Sequence, residues 1–66
     1  MLEGLALRAG MRVLDPGVGT GELLRAVLDR EPLVQAVGWD IDPGVLEAAR
    51  ELVPEATLER RSALDA

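Results

Sequence analysis

Apolar positions recur along the chain with a helical period in some stretches and as short continuous or alternating runs in others. Leu2, Leu5 and Ala9 fall at helical spacing with Ala6 beside them, so residues 1–9 predict a short helix stopped by Gly10. Met11-Arg12-Val13-Leu14 is a brief apolar run between Gly10 and Asp15-Pro16-Gly17, the pattern of a buried strand. Residues 16–21 hold three glycines and a proline and read as a loop. From about Gly21 to Arg30, Leu23, Leu24, Val27 and Leu28 mark one helix face. Glu22 in the first turn and Arg30 in the last suit the helix dipole. After Pro32, residues 34–39 predict a second buried strand that ends at Asp40. Asp42 then stands where an N-cap belongs, and Pro43 occupies the first helical position, where an N–H is not needed. Val45, Leu46, Ala49 and Leu52 continue that helix until Pro54. Residues 56–61 alternate, with Ala56, Leu58 and Arg60 on one side and Thr57, Glu59 and Arg61 on the other, and predict a third strand.

The order is α-β-α-β-α-β. Strand–helix–strand units this short imply an α/β fold with a parallel sheet and right-handed crossovers. The expected architecture is a Rossmann-like half fold, residues 1–66 forming a single partial domain with strands in the order 3-2-1. Both connecting helices fall on one face of that sheet. The other face is left bare, although parallel sheets are ordinarily covered on both. The first strand, with Val13 and Leu14, is an open edge. The chain is therefore expected to form a homo-oligomer or to be completed by a C-terminal segment that covers the open face.

Composition narrows the chemistry. Seven Arg, no Lys and twelve acidic residues give a net charge of −5, without the clustered basic footprint of a nucleic-acid binder. The chain has no Cys, which excludes disulfides and thiolate metal sites, and no His, so no metal site is expected. No apolar run approaches the roughly 18 residues of a membrane span. The acid at position 3 argues against a signal peptide, leaving a cytoplasmic protein without membrane contact as the default. Hydrophobic residues make up 48% of the chain, yet Trp39 is the one aromatic, so aliphatic side chains must build the core.

Candidate chemistry gathers in Asp15-Pro16-Gly17-Val18-Gly19-Thr20-Gly21, between a strand and a helix, where backbone can approach a ligand closely. The dinucleotide fingerprint requires glycine at its sixth position, counted from Gly17, but Glu22 stands there and disfavours a pyrophosphate. The absence of Lys excludes a phosphate-binding Walker loop. What remains is D-x-G-x-G-x-G. Asp40, at the end of the second strand and about 20 residues beyond this loop, is where doubly wound nucleotide folds hold ribose hydroxyls. A carboxylate accepts both hydroxyl hydrogens. Asp42 is explained more simply as the cap of the next helix.

VLDPGVGTGELL followed by AVGWDIDPGVLEAAR resembles the first half of a class I S-adenosylmethionine-dependent methyltransferase, over about residues 11–63. The Asp-Pro ahead of the glycines resembles the DNA adenine-N6 branch. The resemblance implies S-adenosyl-L-methionine as cofactor. Asp15 would lie near its methionyl amine, and Gly17, Gly19 and Gly21 would offer backbone to its methionine part. Asp40 would hold the ribose hydroxyls and Ile41 would pack on the adenine. Ser62 stands where the family usually places an acid for the adenine amino group. The adenine-N6 branch carries a tetrapeptide of Asn or Asp, Pro-Pro and an aromatic, which this chain lacks. No catalytic residue is assigned, and DNA would be reached only through a complementing segment. The alternative is a non-catalytic cofactor-binding or structural half fold that dimerises through its uncovered sheet face. Trp39 reads as packing, Arg60 and Arg61 as solubilising an edge, and Glu47, Glu51 and Glu55 as the wet face of the last helix.

Overall fold

The computed structural model describes residues 6–65. Its elements are β1 (Arg12–Pro16), α1 (Glu22–Arg30), β2 (Gln35–Asp40), α2 (Pro43–Leu52) and β3 (Thr57–Arg60), followed by a 3-10 turn at Ala63–Asp65. The three strands are parallel in the order β1-β2-β3, the predicted neighbours read from the other edge.

Most boundaries follow local rules. Asp42 Oδ1 accepts the Gly44 N–H at 2.9 Å and the Val45 N–H at 3.4 Å, capping α2, whose first residue is Pro43. Pro32 and Pro54 lie just past the ends of α1 and α2. Other boundaries depart from expectation. The predicted first helix lies outside the described residues over positions 1–5, and positions 6–9 are coil and turn. The turn closes locally, Met11 N–H donating to the Arg8 carbonyl at 3.0 Å, and the chain then joins a distant segment: Gly10 N–H donates to the Leu33 carbonyl at 2.9 Å, and Gln35 N–H to that of Met11 at 2.7 Å. Strand β1 also runs on through Asp15 and Pro16, which the sequence placed ahead of and inside the loop. A terminal proline on an edge strand removes no ladder bond that the sheet needs.

Residues paired in parallel register share a face. Val13, Ala36 and Leu58 lie on the helix side and pack with Leu24, Val27 and Leu28 of α1 and Leu46 of α2, joined by Val18, Val34 and Val53. The core is wholly aliphatic, as the composition requires. The second face carries Leu14, Val37, Trp39, Thr57 and Glu59, and neither α-helix covers it. Trp39 is nonetheless only 8% exposed, with the Arg61 guanidinium 5.0 Å from its ring centroid. Its Nε1–H meets no acceptor among the described residues.

One ion-pair cluster ties the helix layer to the turn before β3. Arg25 of α1 donates to both carboxylate oxygens of Glu55 at 2.9 Å, to Asp29 at 3.1 Å and to the Leu52 carbonyl at 3.2 Å. Glu55 lies beyond α2, so it is a partner across the fold and not part of that helix's wet face.

A chain of this size has a total stability of about 3–10 kcal/mol, while truncating a buried leucine removes about 2–5 kcal/mol. Leu24, fully buried, is therefore near the limit of what can be lost. Leu24→Ala is expected to abolish or strongly lower the cooperative thermal transition followed by circular dichroism. Leu64→Ala, at a position 94% exposed, leaves it in place.

Candidate functional site

The glycine loop is pinned over the end of β2. Gly17 and Val18 N–H both donate to the Trp39 carbonyl at 2.7 Å, and Gly21 N–H closes the turn on Val18 at 3.1 Å. The Val18 side chain is 5% exposed. A Cβ at Gly38 would come within 2.7 Å of Val18 Cγ2 and 2.9 Å of Leu58 Cδ2, so the missing side chain at Gly38 gives the loop its seat.

The three loop glycines have φ of +85°, +58° and +93° at Gly17, Gly19 and Gly21, values that side-chain-bearing residues seldom adopt. They divide by surroundings. A Cβ at Gly17 or Gly19 would meet nothing within 4 Å, so both backbones face open space. At Gly21 it would lie 2.8 Å from Val53 Cγ2, so this glycine serves the contact between α1 and the end of α2. Gly21 is the N-cap of helix α1 and supplies no side-chain cap, leaving the first N–H groups of the helix for solvent or a ligand. Thr20 Oγ1 donates to the Glu22 carboxylate beside this start and, as the foremost cause, holds Glu22 below its ordinary range.

Asp40 joins the two motifs. Its Oδ2 accepts the Gly19 N–H at 3.2 Å and its Oδ1 the Asp42 N–H at 3.0 Å. These two amides, that of Asp42 foremost, hold its carboxyl below the usual carboxylate value. Each oxygen keeps accepting capacity for a hydroxyl. Asp15, at the matching end of β1, is half-buried, and burial pushes its carboxyl up. A cation placed beside it would reverse that shift. Ile41, next to Asp40, is apolar and 65% exposed. Ser62 follows β3 at this same end of the sheet, and its Oγ accepts the Leu64 N–H at 3.1 Å.

All seven expected site residues thus lie in the segments that follow the carboxyl ends of the strands or just inside them. The 3.2 Å Gly19–Asp40 bond makes the direct link between the two motifs. Sequence reading missed Val18, Gly38 and Arg60. A glycine inside an otherwise apolar strand was the available signal for Gly38. The arginine pair does face opposite sides of β3, but neither merely solubilises an edge. Arg60 Nε donates to the Ile41 carbonyl at 3.0 Å, and Arg61 lies over Trp39. A cavity of about 490 Å³ lies elsewhere, lined by Arg12, Gln35, Val37, Thr57 and Glu59 among others, and includes no residue of the loop. Among the described residues no helix is long and apolar enough to cross a membrane.

No family model matches the chain. It is 38% identical over 52 residues to a malonyl-acyl-carrier-protein O-methyltransferase of Acetivibrio thermocellus, covering 79% of this chain and 18% of that protein. It is 36% identical over 61 residues to a ubiquinone/menaquinone biosynthesis C-methyltransferase of Dinoroseobacter shibae, covering 92% of this chain and 24% of that one. Among solved structures, an O-methyltransferase family 2 protein of Planctomyces limnophilus, in complex with apigenin, matches with a TM-score of 0.70 and 29% identity. That match covers 89% of this chain and 20% of the other. The chain spans about a fifth to a quarter of the length of the curated relatives it matches. Sequence and fold together relate it to the class I S-adenosylmethionine-dependent methyltransferases. The DNA adenine-N6 resemblance gains no support, since these relatives carry the names of O- and C-methyltransferases. The Asp-Pro signal rests on one residue, Pro16, which here ends an edge strand.

The two acids predict opposite responses. Asp15 has a raised carboxyl value, so its ionisation weakens the fold as pH rises through that value. Asp15→Asn should therefore leave the thermal midpoint at pH 7 equal or higher while weakening binding of S-adenosylmethionine. Asp40 has a lowered value, so its contribution is present above the unfolded carboxyl value of about 3.9 and lost as pH falls through the folded one. Thermal melts of Asp40→Asn should lie below the unsubstituted chain at pH 7, with the gap closing as pH falls below the ordinary carboxylate range.

Proposed function

We propose that this chain is the S-adenosylmethionine-binding portion of a methyltransferase. The observation that carries the reading is the Gly19 N–H to Asp40 Oδ2 bond, which unites the glycine loop and the acid after β2 in one site. The residues suit the cofactor's parts. Open space over Gly17 and Gly19 admits an amino-acid chain against backbone, and Asp15 offers a half-buried carboxylate to its ammonium. Asp40 presents oxygens already oriented by two amides to a pair of ribose hydroxyls. Exposed Ile41 supplies an apolar surface for the purine, and the Ser62 hydroxyl, in the segment after β3, is a candidate partner for its amino group. When bound, the cofactor supplies a methyl group on a sulfonium. The chain's own residues bind and orient.

The acceptor is outside what these residues contact. We infer a small molecule or a carrier-bound acyl group for the whole protein, in keeping with the relatives' names, over a DNA base. The net charge of −5 also works against a phosphate backbone. Glu22 and the missing sixth-position glycine weigh against a dinucleotide.

Isothermal titration of the chain with S-adenosylmethionine, S-adenosylhomocysteine and NAD tests this reading. One-to-one binding of the first two and none of NAD is expected. Asp40→Ala should weaken S-adenosylhomocysteine binding by about 10–100-fold, the worth of hydrogen bonds to a charged acceptor. Equal binding of NAD, or no heat with either sulfur nucleoside, would refute it.

A further inference from the structure

We infer that Arg60 is a positioning residue for the nucleoside end of this site, acting through the peptide between Ile41 and Asp42. The inference rests on the cofactor reading above for its ligand and on the structure for its geometry.

That peptide is held at both ends. Arg60 Nε donates to the Ile41 carbonyl at 3.0 Å, and the Asp42 N–H of the same peptide unit donates to Asp40 Oδ1 at 3.0 Å. A peptide unit is planar and trans, so fixing its oxygen fixes the direction of its hydrogen. Asp40 and Arg60 are partners in the β2–β3 register, which puts the arginine stem beside the carboxylate's own strand position. One residue on, Arg61 N–H donates to the Asp40 carbonyl at 3.2 Å. Two consecutive carbonyls of the bend after β2 are thus held from β3, the first by backbone and the second by the Arg60 side chain. The guanidinium replaces the rung that the sheet can no longer supply.

The consequence is directional. A donor charge on the Ile41 oxygen polarises the peptide and strengthens the bond that its N–H makes to Asp40. The Asp40 carboxylate is thereby held against the bend while its other oxygen reaches Gly19. Ile41, whose side chain leaves the same bend, is held with it. Without Arg60, this peptide is held at its N–H end alone, and the bond that fixes the plane of the carboxylate is loosened.

The test uses the full chain and two readouts. By NMR hydrogen exchange without ligand, Arg60→Ala should speed exchange of the Asp42 amide about fivefold or more, while the Val53 amide, bonded to Ala49, keeps its rate. Arg60→Lys, which keeps a charged donor, should restore most of the protection. By isothermal titration, Arg60→Ala should weaken S-adenosylhomocysteine about fivefold, and Arg60→Ala in an Asp40→Asn background should cause little further loss. Unchanged Asp42 exchange, equal acceleration at Val53, or independent losses in the double variant would overturn the inference. If the chain binds no S-adenosylhomocysteine but the Asp42 amide responds, the cofactor reading falls and the positioning role stands. If it binds and the amide does not respond, the reverse holds.

Discussion

The Asp40 carboxylate accepts amides from two segments that are 23 residues apart in the chain, Gly19 in the glycine loop and Asp42 at the start of α2. The Trp39 carbonyl, one residue earlier, takes two more amides from the loop. These four bonds converge on the end of the central strand, and they decide where the loop, the cap of α2 and the bend between them lie. Gly38 makes the arrangement possible by leaving room for Val18. Had that strand ended one residue earlier, the side-chain alternation would have turned the carboxylate to the other face of the sheet.

The loop's hydrogen bonds separate two kinds of glycine. Gly17 and Gly19 look onto open space and are available to a ligand, whereas Gly21 is filled from behind by Val53. The two acids are likewise separated by environment. Asp15 is penalised by burial and gains from a cationic neighbour, while Asp40 is already satisfied by amides and gains from neutral hydroxyl donors. Such a pair suits a ligand with an ammonium at one end and a diol at the other. It does not suit a pyrophosphate, which would meet Glu22 at the start of α1.

The core that supports this site is thin and one-sided. Both helices pack on the face that carries Val13, Ala36 and Leu58, while Val37 and Trp39 are buried on the other face beyond the reach of either helix. The Arg25–Glu55 cluster adds a tie between α1 and the turn before β3. Its two carboxylates are exposed and Arg25 partly so, which makes its contribution sensitive to salt.

The sequence by itself determined the elements whose cause is local. The alternation of strands and helices, the Asp42-Pro43 start of α2, the proline stops and the glycine loop all arise from residues within a few positions of one another. The pairing of that loop with Asp40 was legible too, because a strand–loop–helix–strand unit of this length can close only at one end of a parallel sheet. Residues 6–9 fit a helix by their apolar spacing, but they lead into Gly10 and Met11, whose partners, Leu33 and Gln35, belong to a distant segment. The same holds for Pro16 within β1, for Glu55 as the partner of Arg25, and for Arg60 on the Ile41 carbonyl. Each depends on a contact between segments separated by about 19 residues or more, and such contacts have no signature in local pattern. Only the packed sheet could decide them, because strand register, not residue type, sets which side chain meets which carbonyl.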